Sequence, residues 1–361
     1  MRTLTGRELN RALLARQLLL ERSPKSVTQA LETTGGLQTQ NAVSGYVGLW
    51  SRLQKFEVGD LTKALEIRRA VQGTLMRNTI HLVSAKDYPL LAAGTRPSRR
   101  ASFLRGHKRN LGEKDVDRAI AAAKKALAGT SLSRGELKPI VASSPLWNGV
   151  NACADVVRAP PSGTWERRRA DIYALAEDWL GPIEATEEQG LVHLLRRYLQ
   201  AFGPAPLGDA ANWAGVPPKK LDLAAGKLRP RTFEDEQGKE LLDLPRAPLP
   251  AVDAPAPVRF LPSWDAITLA HARRTGVLPE EYRPIVFNTQ TPQSVATFLV
   301  DGAVAGKWSV KRSAKKAELL VEPFDKLSAR AAKEVEAEGD RLVRFHEPDA
   351  GSHTVRLAGS G

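Results

Sequence analysis

The first side chains whose spacing invites chemistry are two glutamines one residue apart, in the run Gly35-Gly36-Leu37-Gln38-Thr39-Gln40. A carboxamide neither takes nor gives a proton near neutral pH, so Gln38 and Gln40 cannot act as general acid and base. A carboxamide oxygen can instead accept a hydrogen bond from a water molecule and turn its negative end toward a developing cation. Such help is modest and suffices only where the bond to be broken is already weak. Taken by themselves, two polar residues after a Gly-Gly helix stop read most simply as an exposed turn.

His81 closes the segment Arg77-Asn78-Thr79-Ile80-His81, where Arg77 and His81 could meet a phosphate. A lone histidine at the end of a strand is as often a structural hydrogen-bonder. His107, His193, His271, His346 and His353 show no ligand spacing, and Cys153 is the only cysteine. No metal site, disulfide or cofactor is expected.

Lysine and arginine number 53 against 40 acidic residues, a net charge of +13, so a polyanion leads the possible partners. The densest basic run is Arg96, Arg99, Arg100, Arg105, Lys108 and Arg109, with no acid between them. A second set comprises Lys219, Lys220, Arg229 and Arg231. Both read as contacts to DNA phosphates. Charges interrupt the N-terminal apolar runs, and no run of eighteen apolar residues occurs anywhere, so neither a secretory leader nor a membrane span is expected. A cytoplasmic, monomeric protein is the simplest expectation.

The elements that must position these residues repeat one plan, three helices followed by a basic hairpin. The first copy opens on the capping box Thr5-Gly6-Arg7-Glu8, with Leu9, Leu13 and Leu20 at helical spacing. A second helix starts at Ser23-Pro24 and a third covers 41–55. Strands at 68–72 and 79–83 form its wing. The second copy opens on Ser133-Arg134-Gly135-Glu136 and turns its wing at Pro160-Pro161-Ser162-Gly163. In the third, Ala211 and Gly215 suit a tight helix-turn-helix, Pro217-Pro218 starts a recognition helix with Lys219 and Lys220, and a hairpin turns at Gln237-Gly238.

A Pro/Ala linker at 245–257 separates this array from strands at 295–300, 304–310 and 317–321 and a helix at 328–345. The expected fold is α+β: three tandem winged helix-turn-helix units (1–95, 96–185 and 186–245) and a C-terminal antiparallel β/α module (258–361), curved around duplex DNA.

Four segments carry a family resemblance: Gln38-Thr39-Gln40, Arg77-Asn78-Thr79-Ile80-His81, Leu261-Pro262-Ser263-Trp264-Asp265, and Asp301-Gly302 with Gly306-x-Trp308. Together they resemble the winged-helix DNA glycosylases related to the azinomycin-resistance enzyme AlkZ, with Asn78 where that family usually has glycine. The resemblance implies a monofunctional glycosylase with Gln38 and Gln40 as catalytic residues. Its substrate would be duplex DNA carrying bulky N7-alkylated purines, with interstrand crosslinks as an extension of the same chemistry. The fixed positive charge on such a base makes it a good leaving group without protonation. A crosslinked base cannot be extruded, so an open, shallow site is expected rather than a base pocket. The competing reading is a non-catalytic winged-helix transcriptional regulator. An RNA-binding reading is weaker, because no aromatic-rich strand motif is present.

Overall fold

The computed structural model describes residues 1–272, 276–288, 293–313 and 315–358. The chain begins with β1 (Thr3–Leu4) and α1 (Gly6–Arg16), capped reciprocally by Thr5 and Glu8. Then comes a six-element series: α2 (Val27–Thr34), β2 (Leu37–Gln38), α3 (Ala42–Arg52), α4 (Val58–Glu66), β3 (Ala70–Thr74) and β4 (Ile80–Ser84). The long α5 (Tyr88–His107) leads to a second series, α6 (Glu113–Leu127), β5 (Ser131–Ser133), α7 (Arg134–Val141), α8 (Ser144–Cys153), β6 (Val156–Arg158) and β7 (Ile172–Leu175). After the short α9 (Ala176–Leu180), the third has α10 (Glu187–Phe202), a single bridging residue Ala205, α11 (Leu207–Ala214), α12 (Pro218–Leu228), β8 (Arg231–Asp235) and β9 (Glu240–Asp243).

Each series places its first strand or bridge beside its last strand: β2-β4-β3, β5-β7-β6, and Ala205 on Leu242 of β9. The first series differs from the expected division. Its three helices are α2, α3 and α4, and α1 lies before them. The helix expected over 41–55 ends at Arg52, and Val58, Leu61, Ala64 and Leu65 carry the helical period of a further helix, α4.

The first two series are not separate modules. β3 pairs antiparallel with β6, setting Gln72 against Arg158 and Gly73 against Val157, so their strands form one six-stranded sheet. A further strand joins the third series, because β1 lies parallel to β8.

The C-terminal part is built on β10 (Arg259–Leu261). A short α13 (Arg283–Val286) follows, then the strand pair β11 (Phe287–Asn288) and β12 (Gln293–Ser294). β13 (Thr297–Val300) and β14 (Ala303–Arg312) are joined by Asp301 and Gly302, both at positive φ, as a two-residue hairpin turn requires. β15 (Lys316–Pro323), α14 (Ala329–His346) and β16 (Ser352–Leu357) complete a sheet ordered β10-β13-β14-β15-β16.

This sheet is mixed, where an antiparallel one was expected. β16 runs parallel to β15 because α14 carries the chain back across the sheet between them. The segment 245–257 is pinned to the first helix by its backbone carbonyls. Arg16 donates to the Pro248 carbonyl at 2.9 Å and Arg11 to the Ala254 carbonyl at 2.8 Å.

α3 connects the first series to the C-terminal sheet. Trp50 shares one apolar core with Phe260, Phe298, Trp308, Leu319 and Leu342. At the end of α3 the buried Arg52 guanidinium makes two 2.9 Å bonds to the Asp265 carboxylate, and it also donates to Gln17 Oε1 and the Gly48 carbonyl. Both partners are at most 1% exposed. Removing one of them strands the other charge in the interior. Asp265→Ala should therefore lower unfolding stability by roughly 3–5 kcal/mol, read by urea denaturation, while Arg52→Leu with Asp265→Leu should recover most of the loss.

Candidate active site and nucleic-acid interface

The glutamine turn owes its shape to two glycines. Gly35 ends α2 in the left-handed region at φ 75°, and Gly36 follows at φ 82°. A side chain on Gly36 would lie 2.7 Å from a Val83 methyl group. The chain then enters β2 against β4, with Gln38 opposite His81. Thr39 continues the ladder by donating to the Ile80 carbonyl at 2.8 Å, and Asn41 caps α3.

Gln38 is thus a sheet residue, 5% exposed, whereas Gln40 sits on an exposed bend between sheet and helix. The two glutamines are not equivalent. Thr39 between them is buried and faces Gly45, where a β-carbon would crowd its methyl at 3.2 Å. None of five clefts elsewhere on the molecule is lined by either glutamine.

Arg77 orients Gln38. It lies in the 3-10 turn Met76–Asn78 between β3 and β4, where Arg77 and Asn78 both have positive φ, 54° and 57°. Asparagine tolerates that conformation, which accounts for Asn78 in a place suited to glycine. Arg77 Nη2 donates to Gln38 Oε1 at 2.9 Å, and Nη1 donates to the Trp213 carbonyl at 2.6 Å. Gly215, at φ 70° in the α11–α12 turn, lies against the Arg77 backbone; a β-carbon there would come within 2.9 Å of its nitrogen. Arg77, expected at a DNA phosphate, and Gly215, expected to turn the chain, instead meet each other. Their contact across the fold has no local signal.

His81 is enclosed opposite Gln38, its Nδ1 3.1 Å from the Thr79 carbonyl oxygen. Burial, aided by the charge of Arg77 and opposed by the Thr79 hydrogen bond, pushes its imidazole down to about 3. It is therefore neutral at physiological pH and offers no cation to a phosphate. An unfolded histidine titrates near 6.5, so the unfolded chain takes up this proton first and the stability owed to neutral His81 is lost as pH falls from 6.5 toward 3. At pH 5 that loss should be about 2 kcal/mol. His81→Gln should flatten the fall in stability between pH 7 and pH 5 by a similar amount in urea titrations, and an unchanged slope would contradict this.

The ten expected phosphate contacts beyond Arg77 and His81 divide by their partners. Arg99 is 2% exposed and is held by the Thr74 carbonyl and Asp155. Arg96 pairs with the same Asp155, Arg100 with Glu113 and Asp117, and Lys220 with Glu187. Arg231 is tied to the buried Asp243, which also holds the buried Arg16. These five are occupied, and Arg99 and Arg231 serve structure. Arg105, Lys108, Arg109, Lys219 and Arg229 are exposed and have no ion-pair partner among the described residues. Arg105 and Lys220 border a cleft of 710 Å³ that also includes Arg77, Asn78 and the α11–α12 turn.

Comparison with known proteins identifies the class. A family model described as DNA glycosylase AlkZ-like matches residues 31–345. The protein is a DNA glycosylase, and its chain belongs to the AlkZ-like family. The fold is similar to that of the Streptomyces sahachiroi DNA glycosylase AlkZ, with a TM-score of 0.82 and 18% identity over 99% of this chain and 100% of that one. No curated protein matches the chain in sequence.

Proposed function

We propose that the protein hydrolyses the N-glycosidic bond of bulky N7-alkylated purines in duplex DNA and leaves an abasic site. The observation that carries this reading is the exposed Gln40 beside a Gln38 whose carbonyl is already held by Arg77. Gln40 Oε1 accepts a hydrogen bond from the nucleophilic water and aligns it on C1′. As the C1′–N9 bond breaks, its electron pair neutralises the cationic purine, water oxygen bonds to C1′, and its surplus proton passes to solvent. Gln38, with its oxygen engaged, keeps Nε2 for the water or a deoxyribose oxygen.

The three series of helix, strand or bridge, two helices and two strands support a reading as tandem winged helices disposed around the duplex. Exposure of Gln40 suits a base that stays in the helix, so the same site is proposed to unhook interstrand crosslinks. A monomer acting in the cytoplasm completes the reading.

The test uses duplex DNA bearing one bulky N7-guanine adduct, with alkali-labile breaks scored after incubation. Gln40→Ala should slow base release on the order of 100-fold, the scale for losing one aligned polar group in a transition state. Equal rates for wild type and variant would overturn the assignment, and binding without any break would favour the regulator reading. If the five free cations each meet one phosphate, the log–log dependence of affinity on salt should have a slope of roughly −4.5. A slope near zero would remove them from the interface.

A further inference from the structure

A second site is visible across the six-stranded sheet from the glutamine turn. Gln38, His81, Gly73 and Val157 form one cross-strand row. Arg158, next to Val157, therefore projects from the opposite face, paired with Gln72 on one side and Tyr173 on the other. It enters a cleft of 600 Å³ bounded by the β3–β4 turn, the end of α5, α8 and β7.

Arg158 is 6% exposed, yet no carboxylate among the described residues holds it. Among the described residues it makes two weak hydrogen bonds, from Nη1 and Nη2 to Thr74 Oγ1, both at 3.4 Å; its Nε has no hydrogen-bond partner, and its guanidinium carbon lies 5.6 Å from the centre of the Tyr173 ring. The acid in the cleft, Asp171, is engaged by Arg167 and Arg169. A buried guanidinium in this condition lacks its counter-charge.

Three further buried polar atoms on residues lining the cleft are unsatisfied, and they differ in kind. Arg134 Nη1 is a donor without an acceptor. The Oδ1 atoms of Asn78 and Asn151 are acceptors without donors, each amide nitrogen being directed to a backbone carbonyl instead. An anion alone would answer only the arginines. A ligand matched to these atoms brings both negative charge and hydrogen-bond donors, and Trp147 and Tyr173 back the two arginines, which lie over their rings at 5.1 and 5.6 Å.

We propose that this cleft binds a nucleotide, its phosphate on Arg158 and Arg134 and its base or sugar donors on Asn78 and Asn151. The nucleotide is either free or part of a DNA strand. The site lies on the face of the sheet opposite Gln38 and does not depend on the chemistry assigned to the glutamines.

Calorimetry and thermal melting with dGMP, inorganic phosphate and an undamaged duplex, at matched ionic strength, test the proposal. Wild type should bind dGMP more tightly than inorganic phosphate and melt at a higher temperature in its presence. In Arg158→Met, dGMP affinity should fall at least tenfold, while the melting temperature without ligand stays the same or rises because an unpaired buried charge is gone. Asn151→Leu should weaken dGMP and leave inorganic phosphate unchanged, which keeps the test open if Arg158→Met fails to fold. If the strand is the source, the duplex competes with dGMP in wild type; if the free nucleotide is, it does not. Equal binding of phosphate and dGMP, undiminished dGMP binding by both variants, or no binding of dGMP by wild type would each overturn the site.

Discussion

One guanidinium sets the geometry of the glutamine turn. Arg77 spans from the Trp213 carbonyl in the third series to the Gln38 carboxamide in the first, at 2.6 and 2.9 Å. An arginine fork has fixed geometry, so anchoring one arm fixes what the other can reach. It also decides which end of the Gln38 amide faces inward, since only the oxygen can accept from Arg77. The contact requires Gly215 to leave room for the Arg77 backbone, and Gly35 and Gly36 to bring β2 alongside β4. Distant parts of the sequence thus define one side chain.

The frame behind that turn is stiff for a related reason. Arg52 with Asp265 and Arg16 with Asp243 are buried pairs that join helices of the first hundred residues to segments beyond residue 240. Arg16 and Arg11 further hold the chain at 245–257 through its backbone carbonyls. Side-chain arms on α1 and α3 therefore convert what would be a loose array into one connected body. Part of the positive charge, that of Arg11, Arg16, Arg52 and Arg99 among others, lies buried inside the fold and does not face a polyanion.

Local patterns were legible where the physics is local. The capping boxes at Thr5 and Ser133, the left-handed Gly35 and Gly215, the hairpin at Asp301-Gly302, and α12 beginning at Pro218 all follow from residue type and spacing, and the structure has them. What was not legible depends on partners far away in sequence. Nothing near Arg99 marks it as the buried partner of Asp155, and Arg231 gives no sign of Asp243. The fusion of two strand sets through Gln72 and Arg158 is equally silent. The Gln-x-Gln spacing marks the turn, but carries no sign that Gln38 is buried and clamped while Gln40 is exposed.

This asymmetry bears on mechanism. The neutral His81 and two carboxamides leave the turn without a group that titrates near neutrality, so in the proposed reaction the departure of the base rests on its own positive charge. The most direct measurement is the single-turnover rate of base release from an N7-alkylated guanine duplex as a function of pH, corrected for spontaneous loss. A rate that stays level between about pH 5.5 and 9 is the predicted result. A limb changing tenfold per pH unit inside that range would reveal an acid or base at work and contradict the account.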